Sequence, residues 1–67
     1  MNMSEKLKAF MDELNRQLNG LPDDERAEVL NYYEEYMNDA AEEGVSPEDL
    51  LARLESPADI AASIKAL

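Results

Sequence analysis

Cysteine and histidine are missing from this 67-residue chain. Their absence removes disulfide staples, thiol nucleophiles and the usual protein ligands of zinc and copper. No secretory apolar segment precedes the first helical pattern, and no apolar run approaches the roughly 18 residues that would span a bilayer. The expectation is a soluble chain in the cytoplasm, since a small secreted domain without cysteines would be unusual. Bases are scarce as well: six stand against sixteen acids, for a net charge of −10. The imbalance is localised, because no base lies between Arg26 and Arg53, an interval that carries Glu28, Glu34, Glu35, Asp39, Glu42, Glu43, Glu48 and Asp49. A field of this sign repels phosphate backbones and anionic lipid, which disfavours direct binding of DNA, RNA or a membrane surface. It attracts basic protein surfaces, while the same acids also serve simply to keep a small domain soluble.

What is present is a series of legible helix signals. A chain this short holds one domain with a limited core, so its stability has to come from efficient helix packing. Ser4 is placed to cap a helix in which Leu7, Phe10, Met11, Leu14 and Leu18 recur on one face, with Met3 extending the stripe upstream. Gly20 can take the left-handed conformation that ends it, and Leu21 can fold back onto the last turn. Pro22 then suits the first position of a second helix, where Asp23, Asp24 and Glu25 complement the dipole. Gly44 should end that helix in the same way as Gly20 ends the first.

Ser46 and Asp49 form a capping-box pattern around Pro47, with Val45 and Leu50 as a hydrophobic staple. Ser56, Pro57 and Asp59 repeat the cap, predicting a short final helix that presents Ile60, Ile64 and Leu67. The expected fold is therefore an all-α compact bundle, a single domain over 1–67. It has three principal helices and a short fourth, near 4–19, 22–43, 47–55 and 57–66. Its core should combine the stripes of the first two helices with Leu50, Leu51, Leu54, Ile60 and Ile64.

Placing the second helix on a wheel at about 100° per residue separates two surfaces. Tyr32, Tyr36, Val29, Ala40, Tyr33, Met37, Leu30 and Ala41 share one arc, and Val29, Tyr33, Met37 and Ala40 near its middle are expected in the core. Glu28, Glu34, Glu35, Asn31, Asn38, Asp39 and Glu42 share the other. Tyr32 falls at the border and Tyr36 is intermediate. A border tyrosine commonly seals the edge of a core with its hydroxyl in water. It can equally anchor a partner, as tyrosines do at interface hot spots. The candidate partner-binding set is Tyr32, Tyr36, Glu34, Glu35, Asp39 and Glu42. Arg26 lies inside the apolar arc, where an isolated charge would be costly. It must snorkel past the helix start or meet a carboxylate or carbonyls from another element, and a structural clamp is its expected role.

Several chemistries can be set aside on these residues. If Gly44 were the turn glycine of a calcium loop, Asp39 would be the first ligand, but Ala41 and Leu50 would fall where oxygen ligands are required. An acyl carrier needs a modifiable serine in an Asp-Ser-Leu context, whereas Ser46 and Ser56 both precede proline. Glu34 and Glu35 point to solvent without an apolar pocket that would set one apart as an acid. No glycine-rich phosphate loop is present, and no nucleophile has a base in plausible reach. The expectation is a non-enzyme with no catalytic, cofactor-binding or metal site.

The order of Leu14, Leu18, Gly20-Leu21-Pro22, Glu25-Arg26, Tyr32-Tyr33-Glu34-Glu35-Tyr36, Asp39-Ala40, Glu42-Glu43-Gly44, Ser46, Leu54, Ser56-Pro57 and Ile60-Ala61 resembles a HAAS-type domain over nearly the whole chain. This is a bacterial helical module of unknown function. The resemblance implies a cytosolic N-terminal module of a membrane protein, usually followed by transmembrane helices and often encoded beside PadR-type transcriptional repressors. It thus implies a signalling and regulatory role with such a repressor as protein partner, at the inner face of the cytoplasmic membrane if the chain is part of a longer protein. The chain departs from the pattern by stopping at Leu67 without a membrane segment, as an excised or free-standing domain would. It also carries Glu55 where the family often has glycine, so the junction between the third and fourth helices is expected to bend differently. The alternative function is a structural or self-association domain that positions or dimerises an attached membrane region. In that case the tyrosines would face another copy in a homo-oligomer.

Overall fold

Three serines set the start of three helices. In the computed structural model, which describes residues 4–66, Ser4, Ser46 and Ser56 each accept a hydrogen bond at Oγ from the backbone N–H three residues on, at 3.1–3.2 Å. Each serine backbone is extended and the residue after it is helical, so one otherwise orphaned donor of the first turn is satisfied. The helices are α1 (Glu5–Gln17), α2 (Asp23–Glu42), α3 (Pro47–Arg53) and α4 (Pro57–Lys65). No strand occurs among the described residues, and the all-α expectation holds. Met3 and Leu67, which the sequence pattern adds to the apolar stripes, lie outside the described residues.

The ends of the first two helices follow the sequence expectation in part. Pro22 is the N-cap of α2 rather than its first helical residue, with ψ at 148° and its carbonyl accepting from the Arg26 N–H at 3.0 Å. Gly44 closes α2 at φ +87°, and two bonds complete the motif, Val45 N–H to the Ala40 carbonyl and Gly44 N–H to the Ala41 carbonyl. Gly20 also has positive φ, +104°, but it does not repeat this arrangement. The chain has already tightened at Leu18, where the Asn19 N–H reaches the Arg16 carbonyl, and Leu21 N–H then bonds the Leu18 carbonyl across the turn. The two glycines therefore end their helices in different ways.

The third helix is shorter than the expected span of 47–55, with seven residues over Pro47–Arg53. It stops at Arg53 because Leu54 turns extended, at φ −94° and ψ 149°, ahead of the extended Ser56 cap. No left-handed residue is needed at this junction, so Glu55 meets no steric penalty there. No non-glycine residue has positive φ among the described residues.

Apolar burial divides around α1, the helix that packs against all three others. Leu7, Met37, Ala40 and Leu50 form one buried cluster, and Leu14, Leu18, Ile60 and Ala61 form the second. Phe10 packs against both and joins them. Met37 and Ala40 are buried as the wheel implies, whereas Val29 and Tyr33 are only half-buried. The reason is that α2 rests on α1 and α3 but makes no backbone approach to α4. One whole side of the 20-residue helix, about 30 Å long at 1.5 Å per residue, is left facing outward.

Candidate protein-docking surface

The tyrosine cluster begins with a half-buried residue at the edge of the core. Tyr33 packs beside Leu14, Leu18, Ile60 and Ala61, and its ring meets that of Tyr32 edge to face, with centroids 5.0 Å apart and planes at 90°. This arrangement matches the quadrupole preference of aromatic pairs. Burial pushes the Tyr33 hydroxyl above the usual tyrosine range, with smaller contributions from the charges of Tyr32 and Glu55. Tyr32 itself is 64% exposed and Tyr36 37%. They are the two large apolar side chains that the described surface exposes.

The rings of Tyr32, Tyr33 and Tyr36 form one wall of a shallow cleft of about 250 Å³, and Arg53, Leu54 and Glu55 form the other. Sequence reasoning did not bring Arg53 and Glu55 to the tyrosines, because they arrive through the packing of α3 on α2. The only signal in the sequence was that Arg53 is the first base after a long acidic interval.

The proposed acids separate onto different surfaces. Glu35 and Asp39 are exposed on the outward side of α2 and make no side-chain hydrogen bond or ion pair among the described residues. Glu34 instead borders a depression with Lys8, Met11, Asp12 and Asn15 of α1. Glu42 lies on the rim of a groove of about 760 Å³, floored by Leu7, Met37 and Leu50 and edged by Val45 and Pro47. Six candidate residues that share one helix thus do not share one site. Tyr32, Tyr36, Glu35 and Asp39 lie together on the outward side and Glu34 borders α1, while Glu42, two turns after Glu35 and nearly in line with it, stands where that side meets the groove.

Arg26 is partly covered, with 31% of its side chain exposed, and its guanidinium donates to Asp23 Oδ1 at 2.8 Å within the same helix. Its side chain also borders Asn15, Arg16 and Asn19 at the end of α1. The charge is therefore met by a carboxylate one turn back, while the stem crosses toward the neighbouring helix. A second ion pair joins Lys6 of α1 to Glu48 of α3 at 2.8 Å. The Lys6 hydrogen bond is the main reason that the Glu48 carboxyl lies below the usual range.

Among the described residues, no group of three or more acids, histidines or cysteines is arranged to hold a metal ion. No helix there is long and apolar enough to cross a membrane. The fold and surface define a small all-α bundle whose longest helix carries an open acidic face with two exposed aromatics. The HAAS family model matches residues 9–63, and the chain belongs to the HAAS family. Neither the curated proteins nor the solved structures contain a match to it.

Proposed function

We propose that this HAAS domain is a non-catalytic cytosolic regulatory module that binds a protein partner through the outward face of α2. The observation that carries this reading is the exposure of Tyr32 and Tyr36 beside Glu35 and Asp39, carboxylates that meet no cation among the described residues. The net charge of −10 would speed encounter with a basic surface. Burial of the tyrosine rings would supply most of the lasting affinity. The partner class that the family resemblance implies is a PadR-type repressor, whose hold on DNA the domain would alter. In a longer protein the domain would act at the inner face of the cytoplasmic membrane.

Capture from a cell lysate tests the reading. Glu35→Lys with Asp39→Lys should release the captured partner while the helical circular dichroism is unchanged, and undiminished capture would count against this surface. The alternative, a self-associating or positioning domain, predicts a dimer in sedimentation that Tyr32→Ala or Tyr36→Ala dissociates. A chain that is monomeric at high concentration would remove it.

A further inference from the structure

Resting on the docking role above, we infer that the occupant of this face is a cationic amphipathic helix of another protein, with an arginine stacked on Tyr32. Along α2, Glu25, Glu28, Tyr32, Glu35, Asp39 and Glu43 succeed one another at intervals of three or four residues. They therefore form one stripe on a continuous helical rod. Every member is exposed, and none of the carboxylates meets a cation among the described residues. Cations repeated at the same three- and four-residue interval on a second helix would meet this stripe along its length. An extended or disordered basic segment would have to be ordered to do the same, at a cost in chain entropy.

The charge also selects against the simplest other occupant, a second copy of this chain. A two-fold contact through this face would set acidic stripes against each other, with Arg53 in the cleft as a single base against the five carboxylates of the stripe. Tyr32 adds specificity beyond charge. Its ring is exposed and stands perpendicular to the half-buried Tyr33, which leaves its face open to an incoming group. A guanidinium suits such a ring, since it stacks on aromatic faces while its donors reach carboxylates one turn away. At the far wall of the cleft Arg53 has no carboxylate within ion-pair distance among the described residues. A single acid on the incoming helix would pair with it and fix the register.

The test uses the full chain and two synthetic peptides of identical composition. One is an alanine-based helix with arginines along one side at three- and four-residue spacing, and the other has the same arginines scattered around the helix. Backbone and tyrosine-ring NMR shifts are followed during titration at moderate salt. The one-sided peptide should bind at least about tenfold more tightly, with shifts concentrated on residues 25–43 and on the Tyr32 ring. Tyr32→Ala should lose roughly tenfold of that affinity, whereas Glu34→Gln, on the side facing α1, should lose none. Equal binding of the two peptides, normal binding by Tyr32→Ala, or shifts centred on the Val45 and Pro47 groove would each overturn the inference. Those results would leave the lysate capture by Glu35 and Asp39 intact, so a failure of the partner's chemistry and a failure of the docking role are told apart.

Discussion

Lys65 donates from Nζ to the backbone carbonyl of Asn19 at 2.9 Å, tying the last turn of α4 to the residues that end α1. The contact joins positions forty-six residues apart, and it places a cation where α1 has unsatisfied carbonyls and the negative end of its dipole. Because the group is exposed, Lys65→Met should cost no more than about 1 kcal/mol. Urea unfolding at low and high salt checks this, and the difference between variant and parent should shrink as salt rises.

Gly44→Ala should destabilise the fold by about 1 kcal/mol, lowering the melting temperature by roughly 4–8 °C in a domain of this size. Nothing lies within 4 Å of the position a Cβ would take, so the cost is the left-handed backbone at φ +87° and not a clash. Calorimetry measures the shift. A variant that melts with the parent would mean that the α2 end is not held in this conformation.

Leu14 is fully buried at the centre of the second cluster. Leu14→Ala should cost about 2–5 kcal/mol, a large share of the stability available to a domain this small. The variant is expected to lose most of its cooperative thermal transition. Ala41→Ser, on the exposed part of α2, should change stability by about 0.5 kcal/mol or less.

Tyr33 should weaken the fold at alkaline pH. Its hydroxyl is raised above the ordinary value of about 10, chiefly by burial, so the folded state holds that proton more tightly than the unfolded state. Its contribution is fully present below the unfolded value and is lost as pH climbs from there through the raised folded value. Tyr33→Phe should flatten the fall of stability with pH in that range, as read by urea midpoints from pH 8 to 11. An unchanged slope would assign the alkaline loss to other groups.

Much of the architecture is local and was readable. Ser4, Ser46 and Ser56 begin helices because a serine oxygen can serve an N–H only three residues away, and that needs no knowledge of the rest of the chain. Gly44 ended α2 as expected for the same reason. Only the expectation that both glycines close their helices in the same way fails, and Gly20 is still left-handed, with Leu21 folded back onto the end of α1 as expected. There the helix tightens at Leu18, which is fully buried in the cluster with Ile60 and Ala61. The end of α3 was read two residues late, since the extended turn at Leu54 depends on where α4 must start and what it packs against.

The candidate surface was legible only as a helix face. A wheel assigns polar and apolar sides, and it correctly left Tyr32 at the border, but it treats every polar direction alike. Glu34 and Glu35 are adjacent in sequence, yet one borders α1 and the other faces outward. That division exists because α1 lies along one flank of α2 and α3 along another.

The amino-acid order by itself determined that the chain is helical, where three of its helices begin, and that it carries a net charge of −10, because capping and periodicity are properties of neighbouring residues and charge is one of composition. The packed structure alone decided which acids stand beside Tyr32 and Tyr36 and brought Arg53 and Glu55 to the same cleft. Those groupings arise from the angles at which helices bury their stripes against α1, and such angles are set by contacts between residues distant in sequence.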